Sequence, residues 1–209
     1  MGSNIINIKM KIFLVILLIA FVLFLAFQIY TFMSTKKSET QPYTIIKNED
    51  QFEIRHYPAA TMAQISSTSK SYRDLGSSGF GKLANYIFGG NSDKKQIAMT
   101  SPVHMNIGDS ISTMSFVMPS NFTKEDLPTP NNAEVKIQIS EPENVAVIKF
   151  DGFASTSKIN EQKAKLEKLL QQQGISYYGN FRYLGYNPPY QVLGRRNEVI
   201  VSINMNQEF

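Results

Sequence analysis

The side chains able to hold a metal or attack a substrate are few. Among 209 residues there are two His, at 56 and 104, nine Met and no Cys. The missing Cys removes disulfides, thiolate metal sites, Cys nucleophiles, iron–sulfur clusters and any lipid anchor on Cys. Two imidazoles are too few for a multi-His site. A single neutral imidazole still donates well to a transition metal. His56 lies in the β-type run Phe52 to Tyr57 and shares its strand parity with Phe52 and Ile54; Arg55 faces the side of Glu53 and Tyr57. The plain alternative for His56 is a surface or hydrogen-bonded strand histidine.

Enzyme patterns are missing from the sequence. It holds no Gly-x-Ser-x-Gly and no His-Glu-x-x-His, and the glycine-rich stretch Gly76–Gly81 sits inside a helical pattern. Glu125 and Asp126 adjoin in a loop with nothing to mark them as an acid/base pair. Arg195-Arg196 offers either an anion grip or the rim of a hairpin. The formal charge of +4 comes with no basic aromatic stripe, so a non-enzymatic chain that binds no nucleic acid is expected.

The elements that would position these residues fall into two unlike parts. Ile12 to Phe27 is apolar without a break, and tolerating Gln28 and Thr31 extends the run to Met33, 22 residues in all. At 1.5 Å per residue that is about 33 Å, enough for a bilayer core of about 30 Å. Lys9, Lys11, Lys36 and Lys37 flank it at snorkelling positions. A single-pass transmembrane helix over 12–33 is expected, with a cleaved signal peptide as the nearest rival. Basic residues balance on the two sides, so the short N-terminal tail (1–11) decides the expected orientation: tail cytoplasmic, folded part extracytoplasmic. Without Lys9 and Lys11, 19 basic residues face 17 acidic ones. A polar linker (34–42), one soluble domain (43–205) and a tail (206–209) complete the expected organisation.

Within the domain, Tyr43–Ile46, Phe52–Tyr57 and Ala59–Ser66 read as strands, and Tyr72 to Ile87 recurs at helical spacing. Gln96–Asn106 and Ser112–Met118 are β runs across Gly108-Asp109. After the connector Pro119–Pro130 the order repeats. Strands at Glu134–Ile139 and Val145–Phe150 precede a helix through Ile159, Leu166 and Leu170 capped by Gly174; strands at Phe181–Tyr186 and Glu198–Asn204 follow. The pattern predicts an α+β fold of two ββαββ units, an antiparallel sheet or distorted barrel carrying two helices. Gly76, Gly79 and Gly81 weaken the first helix by about 1 kcal/mol each. They would keep its surface small for a flat ligand or for the sheet.

Several segments, taken in order, resemble the SOUL haem-binding family. They are Phe52-Glu53-Ile54-Arg55-His56-Tyr57, Gly79-Phe80, Leu83 to Asn91, Ile97 to Val103, Phe116 to Ser120, Phe150 to Ala154, Tyr186-Asn187-Pro188-Pro189 and Arg195 to Val199. The resemblance spans about 52–201 and leaves the membrane segment outside. It implies an eight-stranded distorted barrel with two helices, and non-covalent binding of haem or another tetrapyrrole without catalysis. One branch of the family has Glu-Ile-Arg-His-Tyr and takes that His as axial ligand, which puts His56 in this role; another branch holds haem in a hydrophobic cleft. His104, Met99 or Met105 would then supply a second ligand, Arg73 and Lys82 the propionate partners, and Leu83 and Ile87 the cleft walls. The sequence departs from the family pattern at Tyr190, where Trp is frequent, and at His104. The paired-repeat fold also resembles effector-binding regulatory domains, which accept varied amphipathic small molecules. A binding module of that kind, or a membrane-proximal interaction domain, is the alternative.

Overall fold

A computed structural model describes residues 2–204, so position 205 and the expected tail 206–209 lie outside the described residues. Helix α1 (Gly2–Lys37) takes in the expected tail from Gly2 onward and the first residues of the expected linker. Nothing in that stretch, such as a Pro, breaks the helix. The strands are β1 (Thr44–Asn48), β2 (Glu53–Tyr57), β3 (Ala60–Ser67), β4 (Val103–Asn106), β5 (Ser112–Val117), β6 (Lys136–Ser140), β7 (Glu143–Asp151), β8 (Tyr177–Gly185) and β9 (Arg196–Ile203). Helix α2 (Tyr72–Ile87) and helix α3 (Thr156–Gln172) complete the domain.

The strands form one antiparallel sheet in the order β1-β2-β7-β9-β8-β4-β5-β3-β6. Exchanging β2, β3, β4, β5 for β6, β7, β8, β9 reverses the last eight places of that order onto themselves. The two expected units are therefore related by a pseudo-twofold between β4 and β8. The ninth strand, β1, adds to β2 outside this symmetry. It makes nine strands, as many as the β runs read along the chain and one more than the eight-stranded barrel that the resemblance implies. As the edge strand it pairs with β2 alone, with a bulge at Ile46 in an exposed run.

Short connections curl the sheet. β2 and β3 stand six places apart in the order, about 29 Å in a flat sheet. Only Pro58 and Ala59 join them, which allows about 11 Å between strand ends. Glu141 and Pro142 make the same demand on β6 and β7. The sheet must therefore roll into a half-barrel.

Both helices pack on one face. Ser71 caps α2 by accepting from the Asp74 N–H (3.1 Å), and Ser155 caps α3 through the Lys158 N–H (3.2 Å). Gly174 (φ +67°) ends α3 as expected, with the Ile175 N–H bonded to Leu170 O (2.9 Å). Gly79 sits against the sheet: a Cβ there would lie 2.7 Å from Ile65 Cδ1 and 3.4 Å from Met114 Sδ. Gly81 meets nothing within 4 Å. The small surface of α2 thus serves the sheet at Gly79 and has no partner at Gly81. Gly81→Ala is expected to raise stability by about 1 kcal/mol. Gly79→Val is expected to lower it by about 1–3 kcal/mol. Urea unfolding of the detergent-solubilised chain measures both.

Candidate ligand-binding site

The two faces of the sheet differ in chemistry. The helix face carries the main apolar core, with Ile54, Ile65, Leu83, Met105, Met114 and Leu166 among its buried members. The opposite face has a small apolar group, Tyr57, Val145, Val147, Leu184, Tyr186 and Ile200, around buried charges.

Arg55 and Glu198 are the centre of that opposite face, and neither side chain is exposed. Arg55 Nη1 and Nη2 donate to the two Glu198 carboxylate oxygens at 3.0 Å each. Arg55 Nε donates to Glu53 (2.7 Å) and Nη1 also reaches the Tyr57 hydroxyl (3.0 Å). Tyr186 Oη donates to Glu198 (2.7 Å), and Arg196 Nη2 donates to it as well (2.7 Å). Burial alone would raise the Glu198 carboxyl, but Arg55, with Arg196 and the Tyr186 hydroxyl, outweighs it and holds the acid below its ordinary value. Desolvation would likewise lower Arg55, and the bonds to Glu198 raise it instead. Arg195-Arg196 is therefore part of the architecture. Arg196 closes this cluster, while Arg195 Nη1 holds the carbonyls of Pro188 (2.7 Å) and Gln191 (2.6 Å).

His104 lies on the same opposite face, buried, with Nε2 donating to Gln41 Oε1 at 2.7 Å. Burial first, and then the charge of Arg182, push its pKa from 6.5 down to about 4. Gln41 is itself buried, and its backbone N–H bonds Ser101 O (2.8 Å). The linker end thus lies against the domain and covers this histidine.

His56 takes the other parity. With Ile54 it faces the helix side, half-buried on β2 between β1 and β7. Its Nδ1 is 2.8 Å from Asn144 Oδ1. An amide oxygen accepts, so Nδ1 carries the proton and the lone pair stays on Nε2, the form a metal requires. The two imidazoles are on opposite faces and cannot flank one iron.

The remaining expected site residues do not gather around His56. Leu83 and Ile87 are fully buried in the core. Lys82 pairs with Glu134 beside a cavity of about 370 Å³. Arg73 is exposed on the first turn of α2. Met105 is buried in the helix-face core. Met99 lines a larger, mainly apolar cavity of about 440 Å³ with Phe80, Phe88, Tyr186 and Tyr190, closed on one side by Tyr30 and Thr31 of α1. Residue types could have suggested these aromatics, but nothing local announced that α1 would form a wall. A third cavity of about 390 Å³, lined by Lys70, Asp109, Lys163 and Glu167, is polar.

Residues 38–202 match the SOUL heme-binding protein family. The chain belongs to that family. It is 32% identical to mouse Heme-binding protein 2 over 166 residues, which covers 76% of this chain and 80% of the relative. Human Heme-binding protein 2 is 35% identical over 156 residues, covering 71% and 76%. Helix α1, before residue 38, is additional to the SOUL match. The C-terminal domain of EcmrR has the same fold at TM-score 0.58, with 8% identity, over 74% of this chain and 97% of that one. A hydrolase from Listeria innocua follows at TM-score 0.53, with 8% identity, over 76% and 94%.

Two outcomes follow from the buried polar face. Glu198→Leu leaves two guanidinium groups without their carboxylate and should cost about 3–5 kcal/mol in urea unfolding. His104 binds protons less readily folded than unfolded, so its contribution is complete above pH 6.5 and is lost as pH falls towards about 4. That loss is about 3 kcal/mol. Stability measured against pH should flatten across this window in His104→Leu.

Proposed function

We propose that the chain is a membrane-anchored haem-binding protein that holds the tetrapyrrole non-covalently, for sequestration or transport, and performs no catalysis. The family match over 38–202 carries this reading, together with relatives named for haem binding. With no Cys, thioether attachment is ruled out. His56 fits the axial position: it is partly accessible, and Asn144 orients it so that Nε2 keeps its lone pair. Bound haem would supply a Lewis-acidic iron and a flat apolar macrocycle. Arg73, Lys82, Leu83 and Ile87 do not fit a shared pocket with His56, being spread between core, ion pair and open surface.

The anchor is α1, a helix with one window of mean hydropathy 3.1 between Ile8 and Lys37; a signal sequence near an N-terminus meets the same requirement of length and apolarity. Its side-chain bonds to the domain, at Gln28 and Thr35, favour a retained helix, because a cleaved peptide needs no fitted partner. In this reading the domain faces the extracytoplasmic side of the bilayer.

Titration of the full chain in detergent with ferric haem should give a saturable Soret shift near one haem per chain. His56→Ala should weaken binding and alter the band. Identical titrations for wild type and His56→Ala would overturn the ligand assignment, and no saturable binding by wild type would overturn the haem reading. The apolar cavity between α1 and the domain favours the second reading, a site for another amphipathic small molecule. Thermal shifts with unrelated amphiphiles and no Soret band would support it.

A further inference from the structure

Helix α1 has its burial pattern reversed. From Ile8 to Lys37 the only buried side chains are Gln28 and Thr31, while the large apolar ones, Phe13 to Tyr30, are exposed. A helix packed in water does the opposite. Gln28 is held by the loop between β8 and β9: its Nε2 donates to Tyr190 O (3.1 Å) and its Oε1 accepts from the Val192 N–H (2.8 Å). Seven residues on, Thr35 donates to Gln191 Oε1 (2.8 Å). Gly194 (φ +60°) lets the Phe32 ring press on the loop, where a Cβ would lie 2.7 Å from it.

These contacts fix the loop's depth. The unbroken apolar run Ile12–Phe27 is 16 residues, about 24 Å of helix. A bilayer core needs about 30 Å. Lys11 limits extension on the N side, so the span must continue past Gln28 to about Thr31. The backbone of Tyr190 and Val192, bonded to Gln28, then lies inside the apolar zone.

The loop is built for that environment. Residues Pro188 to Leu193 include no charge, and Tyr190, Val192 and Leu193 are 57%, 44% and 58% exposed. Four of its six carbonyls are occupied from within: Pro188 and Gln191 by Arg195, Tyr190 by Gln28, Leu193 by the buried Gln191 amide (2.8 Å). Backbone groups in hydrocarbon must be satisfied by protein, and aromatic phenols favour the headgroup boundary. We infer that the loop Pro188–Leu193 is a second membrane-embedded element, clamped to α1 by Gln28, that fixes the domain's orientation on the bilayer. The inference rests on α1 being a retained anchor.

The chain has no Trp, so a single introduced Trp is the sole indole emitter. Three variants of the full chain, Phe24→Trp, Leu193→Trp and Tyr178→Trp, are reconstituted in phosphatidylcholine vesicles with acyl chains brominated or not. Tyr178 lies near the start of β8, about 23 Å along that strand from Gly185, and serves as the distant control. Phe24→Trp and Leu193→Trp should lose most of their emission to bromine and Tyr178→Trp should lose none. Adding Gln28→Leu to Leu193→Trp should red-shift the emission and remove the quenching. If Phe24→Trp is quenched and Leu193→Trp behaves like Tyr178→Trp, the loop inference is overturned alone. If Phe24→Trp is not quenched, the anchor reading falls and the inference with it.

Discussion

A guanidinium and a carboxylate with no exposure to water have to find each other, and the Arg55–Glu198 pair sets terms for the structure around it. Each ion loses several kcal/mol of hydration on burial, which only close, complete bonding offsets. Arg55 on β2 must reach across β7 to β9, so three strands are locked in register. The spare valences recruit Glu53, Tyr57, Tyr186 and Arg196. Tyr43 stacks on the Arg55 guanidinium at 4.0 Å, which draws the chain entering β1 onto the same face. A polar face inside a rolled sheet is costly when one partner is missing and rigid when all are present.

That rigidity extends to α1. Arg196 opens β9 directly after the loop whose carbonyls Arg195 binds, and the same loop grips Gln28. The helix is therefore connected to the domain by bonds as well as by chain. The cavity of about 440 Å³ owes one of its walls to this docking, through Tyr30 and Thr31. The space is mainly apolar and lies between an apolar helix and the folded domain. His56 lies elsewhere, at the β1–β2–β7 edge. The two locations correspond to different modes of holding a flat apolar ligand, by a metal–imidazole bond or by enclosure.

Much of this was legible along the chain. Helix positions, the hairpin at Gly108-Asp109, the Gly174 cap and the doubled unit follow from periodicity and turn chemistry, which are local. Strand parity alone separated His56 from Arg55. Parity could not say which face was dry. Glu198 is 143 positions from Arg55 and carries no local mark as its partner. Leu83 and Ile87 looked like cleft walls because apolar helix faces serve ligand and core alike; the tight fit of Gly79 on Ile65 leaves α2 no gap for a ligand there.

Composition and order were enough to establish an α+β domain of paired units, an apolar helix before it, the impossibility of thioether attachment and a supply of only two imidazoles. These depend on what each residue is and on neighbours within a few places. Contacts between distant segments decided the separation of the two histidines by the sheet, the ion pair under Tyr43 and the burial of Gln28 in place of its apolar neighbours. Such contacts depend on how a sheet with two-residue connections must roll. That is a property of the closed fold, and no stretch of sequence carries it alone.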